Sequence, residues 1–167
     1  MGDSESKQRE RHPILVPVDF SDDAAAALLW AARLARAWRA PLLVLHVVHD
    51  PESAPGYYQR SKKHKKHLRR IEEAAAEMMD DFLAQMRSRH GDELPELDHR
   101  LVVGLPVTRI LEVAEVSAAQ QIVMGSQGRT GLDRLLLGSK AEKVVRLAPV
   151  PVTIVKADPE TGGEAGS

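Results

Sequence analysis

No cysteine occurs anywhere in the 167 residues. That excludes disulfides, a thiolate nucleophile and any zinc site built on thiolates, and it points away from secretion. No apolar run is long enough to span a bilayer, so no membrane span is expected. Charge of neither sign dominates, because 23 Lys and Arg stand against 24 Asp and Glu, a formal net charge of −1. Such a balance sets up no global field toward nucleic acid or anionic lipid. Two common nucleotide fingerprints are missing as well. No lysine precedes Ser139, so there is no G-x-x-x-x-G-K-[ST]. Gly125, Gly128 and Gly131 are spaced G-x-x-G-x-x-G rather than G-x-G-x-x-G.

What is present describes a globular chain. Apolar residues make up 43%, an ordinary share for a folded domain, and the length suits one domain with a proper core. The stretch MGDSESKQRERH at 1–12 is polar and reads as a mobile arm rather than a signal peptide, and ADPETGGEAGS at 157–167 reads as a disordered tail. The folded part is expected at 13–156, and the default expectation is a soluble, cytoplasmic domain.

Hydrophobic periodicity alternates along that folded part. PILVPVDF (13–20) is a short β-rich run, and DDAAAALLWAARLARAWRA (22–40) is helical, with Leu28, Ala31, Ala35 and Trp38 on one stripe. After Pro41, LLVLHVV (42–48) is continuously apolar, as a buried parallel strand is. A loop over HDPESAPGYYQ leads to a long charged helix from Lys62 to Arg89. LDHRLVV (97–103) is strand-like, PVTRILEVAEVSAAQ (106–120) helical, QIVM (121–124) a strand, 139–148 a helix and VPVTIVK (150–156) a last strand. The order βαβαβαβαβ predicts an α/β fold with a parallel sheet covered on both faces by right-handed crossovers. Ligands of such sheets bind beyond the carboxyl ends of the strands, where strand order reverses. PVDFS and the glycine-rich GSQGRTGLDRLLLGS (125–139) both lie at such ends.

A loop running from a strand end into a helix N-terminus offers unpaired N–H groups and the positive end of a dipole. Glycines let a ligand approach that backbone with no Cβ in the way. The physics favours an anion, phosphate above all.

The spacing Gly125-x2-Gly128-x9-Gly138-Ser139 resembles the G-2x-G-9x-G-[ST] ATP-binding motif of the universal stress protein family. ILVPVDFS, LLVLHVV, VVGLP, IVMGSQGRTG and APVPVTIV resemble further family landmarks, in order, over about residues 13–156. The resemblance implies a Rossmann-like, adenine nucleotide alpha hydrolase-like sheet of five parallel strands in order 3-2-1-4-5. It also implies a homodimer paired through the last strand, 150–156. Carried over by position, Gly125, Gly128, Gly138 and Ser139 would surround phosphates and ribose of ATP, AMP or ADP, and Mg²⁺ could accompany the phosphates. Asp19 would accept from ribose hydroxyls, Pro17 and Val18 would line the adenine pocket, the Val47 backbone would read the adenine edge, and Met124 would lie under the base. Two positions depart from the common family pattern: Gln127 stands where histidine is usual, and Lys140 where a small apolar residue often follows the serine. Lys140 would reach a phosphate as a point charge or face water.

Structural roles compete for some of these residues. Ser139 and Glu142 have the spacing of a capping box, and Asp19, Ser21 or Asp22 would each serve as a helix cap. KKHKKHLRR (62–70) would suit nucleic acid, with Tyr57 and Tyr58 stacking. The near-zero net charge and the lack of a recognition motif count against that, and basic residues opposing the dipole suggest a frayed helix start. His46 and His49, like His64 and His67, are spaced i, i+3 without further ligands nearby, so no metal site is expected. His46 reads as a core or pocket-wall residue. No catalytic residue stands out. The leading expectation is a regulatory protein whose conformation or dimer state follows adenine nucleotide. The alternatives are a slow ATPase, with Arg129 or Arg134 approaching the phosphates, and a dimeric scaffold without nucleotide.

Overall fold

The computed structural model describes residues 12–50, 62–127 and 136–158. Among these residues five strands and four helices alternate: β1 (Ile14–Pro17), α1 (Asp22–Trp38), β2 (Leu42–His49), α2 (Lys62–His90), β3 (Asp98–Gly104), α3 (Pro106–Val116), β4 (Gln121–Gly125), α4 (Ser139–Leu147) and β5 (Val152–Val155). A 3₁₀ turn at Gly91–Glu93 follows α2. The strands form one parallel sheet in the order β3-β2-β1-β4-β5. Each element lies within a few residues of its place in the sequence pattern, and the strand order is the one the family resemblance implies.

Alternation along the central strands explains the two layers of helices. Ile14, Val16, Leu42, Val44 and Val123 point to one face, where they pack against the alanines of α1 and against Met79, Leu83 and Met86 of α2. Leu15, Leu43, Leu45, Ile122 and Met124 point to the other, against Ile110 and Ala114 of α3 and Ala141 and Val144 of α4. A period of two puts alternate residues on opposite faces, and helices on both faces bury all of them. The alanine stripe of α1 adds little side-chain bulk, so Ala27, Ala31 and Ala32 are fully buried under the sheet. Trp38 does not join that stripe, being 48% exposed. It is the last residue of α1, and Arg39 turns the chain back toward β2 in the left-handed region (φ 53°).

The basic start of α2 is helical from Lys62 although its first turn carries no acidic residue. Tertiary contact outweighs the unfavourable dipole term, which amounts to about 0.3–1 kcal/mol per exposed charge. Leu68 and Ala75 pack on Val48, with Leu101 and Val103 beside them. His64 Nε2 lies 3.3 Å from Oδ1 of the buried Asp50 at the end of β2.

The chain leaves β1 first toward β2 and β3, then crosses back to β4 and β5. The switch point therefore falls between the carboxyl ends of β1 and β4, where the two crossovers part and a crevice opens.

Candidate functional site

A cavity of about 560 Å³ opens at that switch point. Its walls come from the end of β1 (Pro17, Val18, Asp19), the end of β2 (His46, Val47, His49), the exit of β4 (Met124 to Gln127) and the start of α4 (Gly138 to Ala141). Ala24, Leu45, Pro106, Ile110, Leu136 and Leu137 complete the lining among the described residues. Small-molecule sites commonly measure about 300–1,000 Å³ and combine apolar walls with a few polar groups, as here. Every described residue that the family resemblance assigns to the nucleotide site, Pro17, Val18, Asp19, Val47, Met124, Gly125, Gly138, Ser139 and Lys140, borders this one space. Gly128 and Arg129, like Arg134, Tyr57 and Tyr58, lie outside the described residues.

The β1–α1 turn presents Asp19 to the cavity. Asp19 Oδ1 accepts from the Ser21 amide at 3.1 Å and the Ser21 hydroxyl at 2.5 Å. Its Oδ2 has no hydrogen-bond partner among the described residues, so half the carboxylate remains available to a ligand hydroxyl. Ser21 is the cap of α1, its Oγ accepting from the Ala24 amide at 3.2 Å. Asp19 thus supports the cap without being it. Between them Phe20 takes φ 66°, an unusual value for a bulky residue. The ring is held there by stacking on His46 (centroids 4.4 Å apart) and by an edge contact with Phe82 of α2. His46 lines the cavity and donates through Nδ1 to the Val18 carbonyl at 2.8 Å, since a carbonyl only accepts.

On the opposite side, α4 begins with Gly138 as its cap, and Ser139 is already the first helical residue. The capping box expected from Ser139 and Glu142 is not formed: the Glu142 amide donates to the Gly138 carbonyl at 2.9 Å, and the Glu142 carboxylate pairs with Arg146 instead. The amides of Ser139, Lys140 and Ala141 consequently have no hydrogen-bond partner among the described residues, and all three residues border the cavity. Lys140 is exposed and makes no ion pair among those residues. The combination of free amides, helix dipole and an adjacent ammonium favours an anion.

Both ends of the glycine loop are pinned. The Gly138 amide donates to the Ser126 carbonyl at 2.8 Å, and Gln127 Nε2 donates to the Leu136 carbonyl at 2.7 Å. Gln127, a departure from the family pattern, thereby closes the base of the loop.

The universal stress protein family model matches residues 10–156 of this chain. The chain belongs to the universal stress protein family. A universal stress protein of Thermus aquaticus is 36% identical over 143 residues, which cover 86% of this chain and 97% of the relative. A Mycobacterium tuberculosis relative is 31% identical over 92% of this chain, which spans 50% of that relative's length. Among solved structures, a universal stress protein from Lactobacillus plantarum superimposes with a TM-score of 0.71 at 29% identity, covering 86% of this chain and 97% of its own. One from Archaeoglobus fulgidus, solved in complex with dAMP, gives 0.59 at 27% identity over 87% of this chain and 98% of that one.

Two residues with defined roles escape a reading of the sequence. Asp23, one residue after the acidic residue considered as a cap, points back under the cavity wall. Ser126 is 3% exposed and donates through Oγ to Asp23 Oδ2 at 2.6 Å. Only the position of Ser126 directly after Gly125 hints at its part, and nothing local marks Asp23. Among the described residues no group of three or more His, Asp or Glu is arranged to hold a metal ion. No described helix is long and apolar enough to cross a membrane.

Proposed function

We propose that this universal stress protein binds an adenine nucleotide in the switch-point cavity and acts as a regulator whose conformation or dimer state follows occupancy. The observation that carries the reading is convergence. The G-2x-G-9x-G-S residues Gly125, Gly138 and Ser139 border the same space as Asp19, Val47 and Met124. In this reading the phosphates rest on the open amides of Ser139 to Ala141, with Lys140 beside them. The ribose hydroxyls donate to Asp19 Oδ2, and the base lies between Met124 and the β1–β2 end, its edge read by the Val47 backbone. The dAMP complex of the Archaeoglobus fulgidus relative supports an adenine nucleotide as the ligand class. ATP is the favoured form, because Lys140 and three free amides offer more to a polyphosphate than to a monophosphate. Mg²⁺ would be carried by the nucleotide's own phosphates.

We assign the protein to the stress response and to the cytoplasm on its family membership. A homodimer would form through β5, an edge strand whose outer side has no neighbouring strand among the described residues.

The test is denaturation of freshly purified protein and chromatography of the released small molecule, together with titration of emptied protein by Mg-ATP, ADP and AMP. Released or titrating adenine nucleotide is the expected result. The absence of nucleotide by both routes would overturn the reading and leave a dimeric scaffold with a vacant motif.

A further inference from the structure

Asp23 sits in the first turn of α1, outside the cavity lining, yet its carboxylate touches two separate segments. Oδ2 accepts from the Ser126 hydroxyl at 2.6 Å and the Gln127 amide at 3.1 Å, both on the cavity wall. Oδ1 accepts from the Ala157 amide at 2.9 Å, two residues past the end of β5. A carboxylate has about four acceptor sites on one rigid plane, so three bonds are well within its capacity. Bonds to an ionised acceptor are roughly twice as strong as neutral ones, and the N-terminus of α1 favours the negative charge there.

Ser126 extends this contact to the phosphate side of the cavity. Its carbonyl accepts from the Gly138 amide at 2.8 Å, its own amide donates to Val155 at 2.8 Å, and its hydroxyl goes to Asp23. A continuous hydrogen-bonded path therefore runs Gly138, Ser126, Asp23, Ala157, from the start of α4 to the exit of the edge strand. Because the carboxylate is planar and rigid, a rotation that follows Ser126 and Gln127 carries the acceptor of Ala157 with it.

We propose that Asp23 is a positioning residue that couples the cavity to the exit of β5, so that occupancy of the cavity is reported at residues 156–158. The proposal deepens the nucleotide reading and takes its ligand from that reading. Displacement of Gly138 by a bound phosphate shifts Ser126, and Asp23 transmits the shift to the segment beside the sheet edge. By reciprocity, fixing the exit of β5 raises nucleotide affinity by the same factor.

Hydrogen exchange on the full chain tests the coupling with and without ligand. In the unliganded protein, Ser126→Ala removes a bond on the cavity side only, yet it should speed exchange of the Ala157 amide by several-fold. Asp23→Asn should speed both Gln127 and Ala157 by about tenfold, the loss of a charge-assisted bond. With Mg-ATP at saturation, Ala157 should exchange more slowly in the native protein. In Asp23→Asn that ligand response should vanish while ATP still raises Tm, a separation that a purely structural role would not produce. An Ala157 amide indifferent to Ser126→Ala overturns the coupling even if no nucleotide binds. If ATP binds and Ala157 does not respond, the coupling falls and the nucleotide reading stands. If ATP does not bind but Ser126→Ala reaches Ala157, the nucleotide reading falls and the coupling stands.

Discussion

A Cβ built on Gly125 would lie 2.8 Å from Cβ of Asp23 and 2.9 Å from its backbone carbon. The first glycine of the motif is therefore needed for the approach of α1 to the end of β4, whatever the ligand requires. Gly125→Ala should cost about 1–3 kcal/mol of stability, the usual effect of overpacking against atoms that cannot rotate away. Urea denaturation measures it. A stability equal to that of the native protein would mean that α1 can slide on the sheet.

Gly138 differs in degree. Its added Cβ would meet the Ser126 carbonyl at 3.1 Å, close enough to need a shift of a few tenths of an ångström. Gly138→Val should fold with a loss of about 1 kcal/mol, one strained hydrogen bond. It should weaken ATP by more than about tenfold, because the free amides of α4 move with the shifted cap. Calorimetric titration beside a thermal melt separates the two effects. Unaltered ATP affinity would refute the phosphate cradle.

Phe20 sets two terms against each other. Its left-handed backbone costs about 1–2 kcal/mol, which glycine would recover in part. Against that, the ring's burial is worth about 1.5–3 kcal/mol when complete, and its contacts with His46 and Phe82 about 0.5–1.5 kcal/mol each. The ring term is larger even when discounted for partial exposure. Phe20→Gly should destabilise by about 1–2 kcal/mol in chemical denaturation, and a more stable variant would show that backbone strain dominates.

Lys140 offers a test of the number of phosphates. Lys140→Met should weaken ATP by about fivefold, the scale of one exposed charge pair, and leave AMP unchanged within about twofold. The loss for ATP should shrink as salt is raised, because an exposed pair is screened. Equal losses for both nucleotides would place the ammonium against the first phosphate instead.

Much of this architecture is visible in the sequence because its signals are local. Alternating apolar runs and amphipathic stretches give the order of elements, and the distance from Gly125 to Ser139 gives the loop. Assignments failed where a neighbour distant in sequence decides the outcome. Ser139 and Glu142 have capping-box spacing, but Gly138 caps α4 because its amide is tied to Ser126. The basic start of α2 argues for fraying, but Leu68 on Val48 and His64 beside Asp50 hold it helical. Trp38 fits the stripe of α1 by period, but the helix ends with it, and so it remains half exposed.

The sequence by itself determined the α/β class, the family and the glycine spacing whose described members, Gly125 and Gly138, border the cavity. Each follows from spacing along the chain, and hydrophobic period and motif intervals record spacing directly. Only the tertiary structure decided why Gly125 must lack a side chain and what Asp23 does. Asp23 meets Ser126 across 103 residues and Ala157 across 134. Such contacts are set by how α1 lies on the sheet, and no local pattern encodes a hydrogen bond between segments brought together only by strand order.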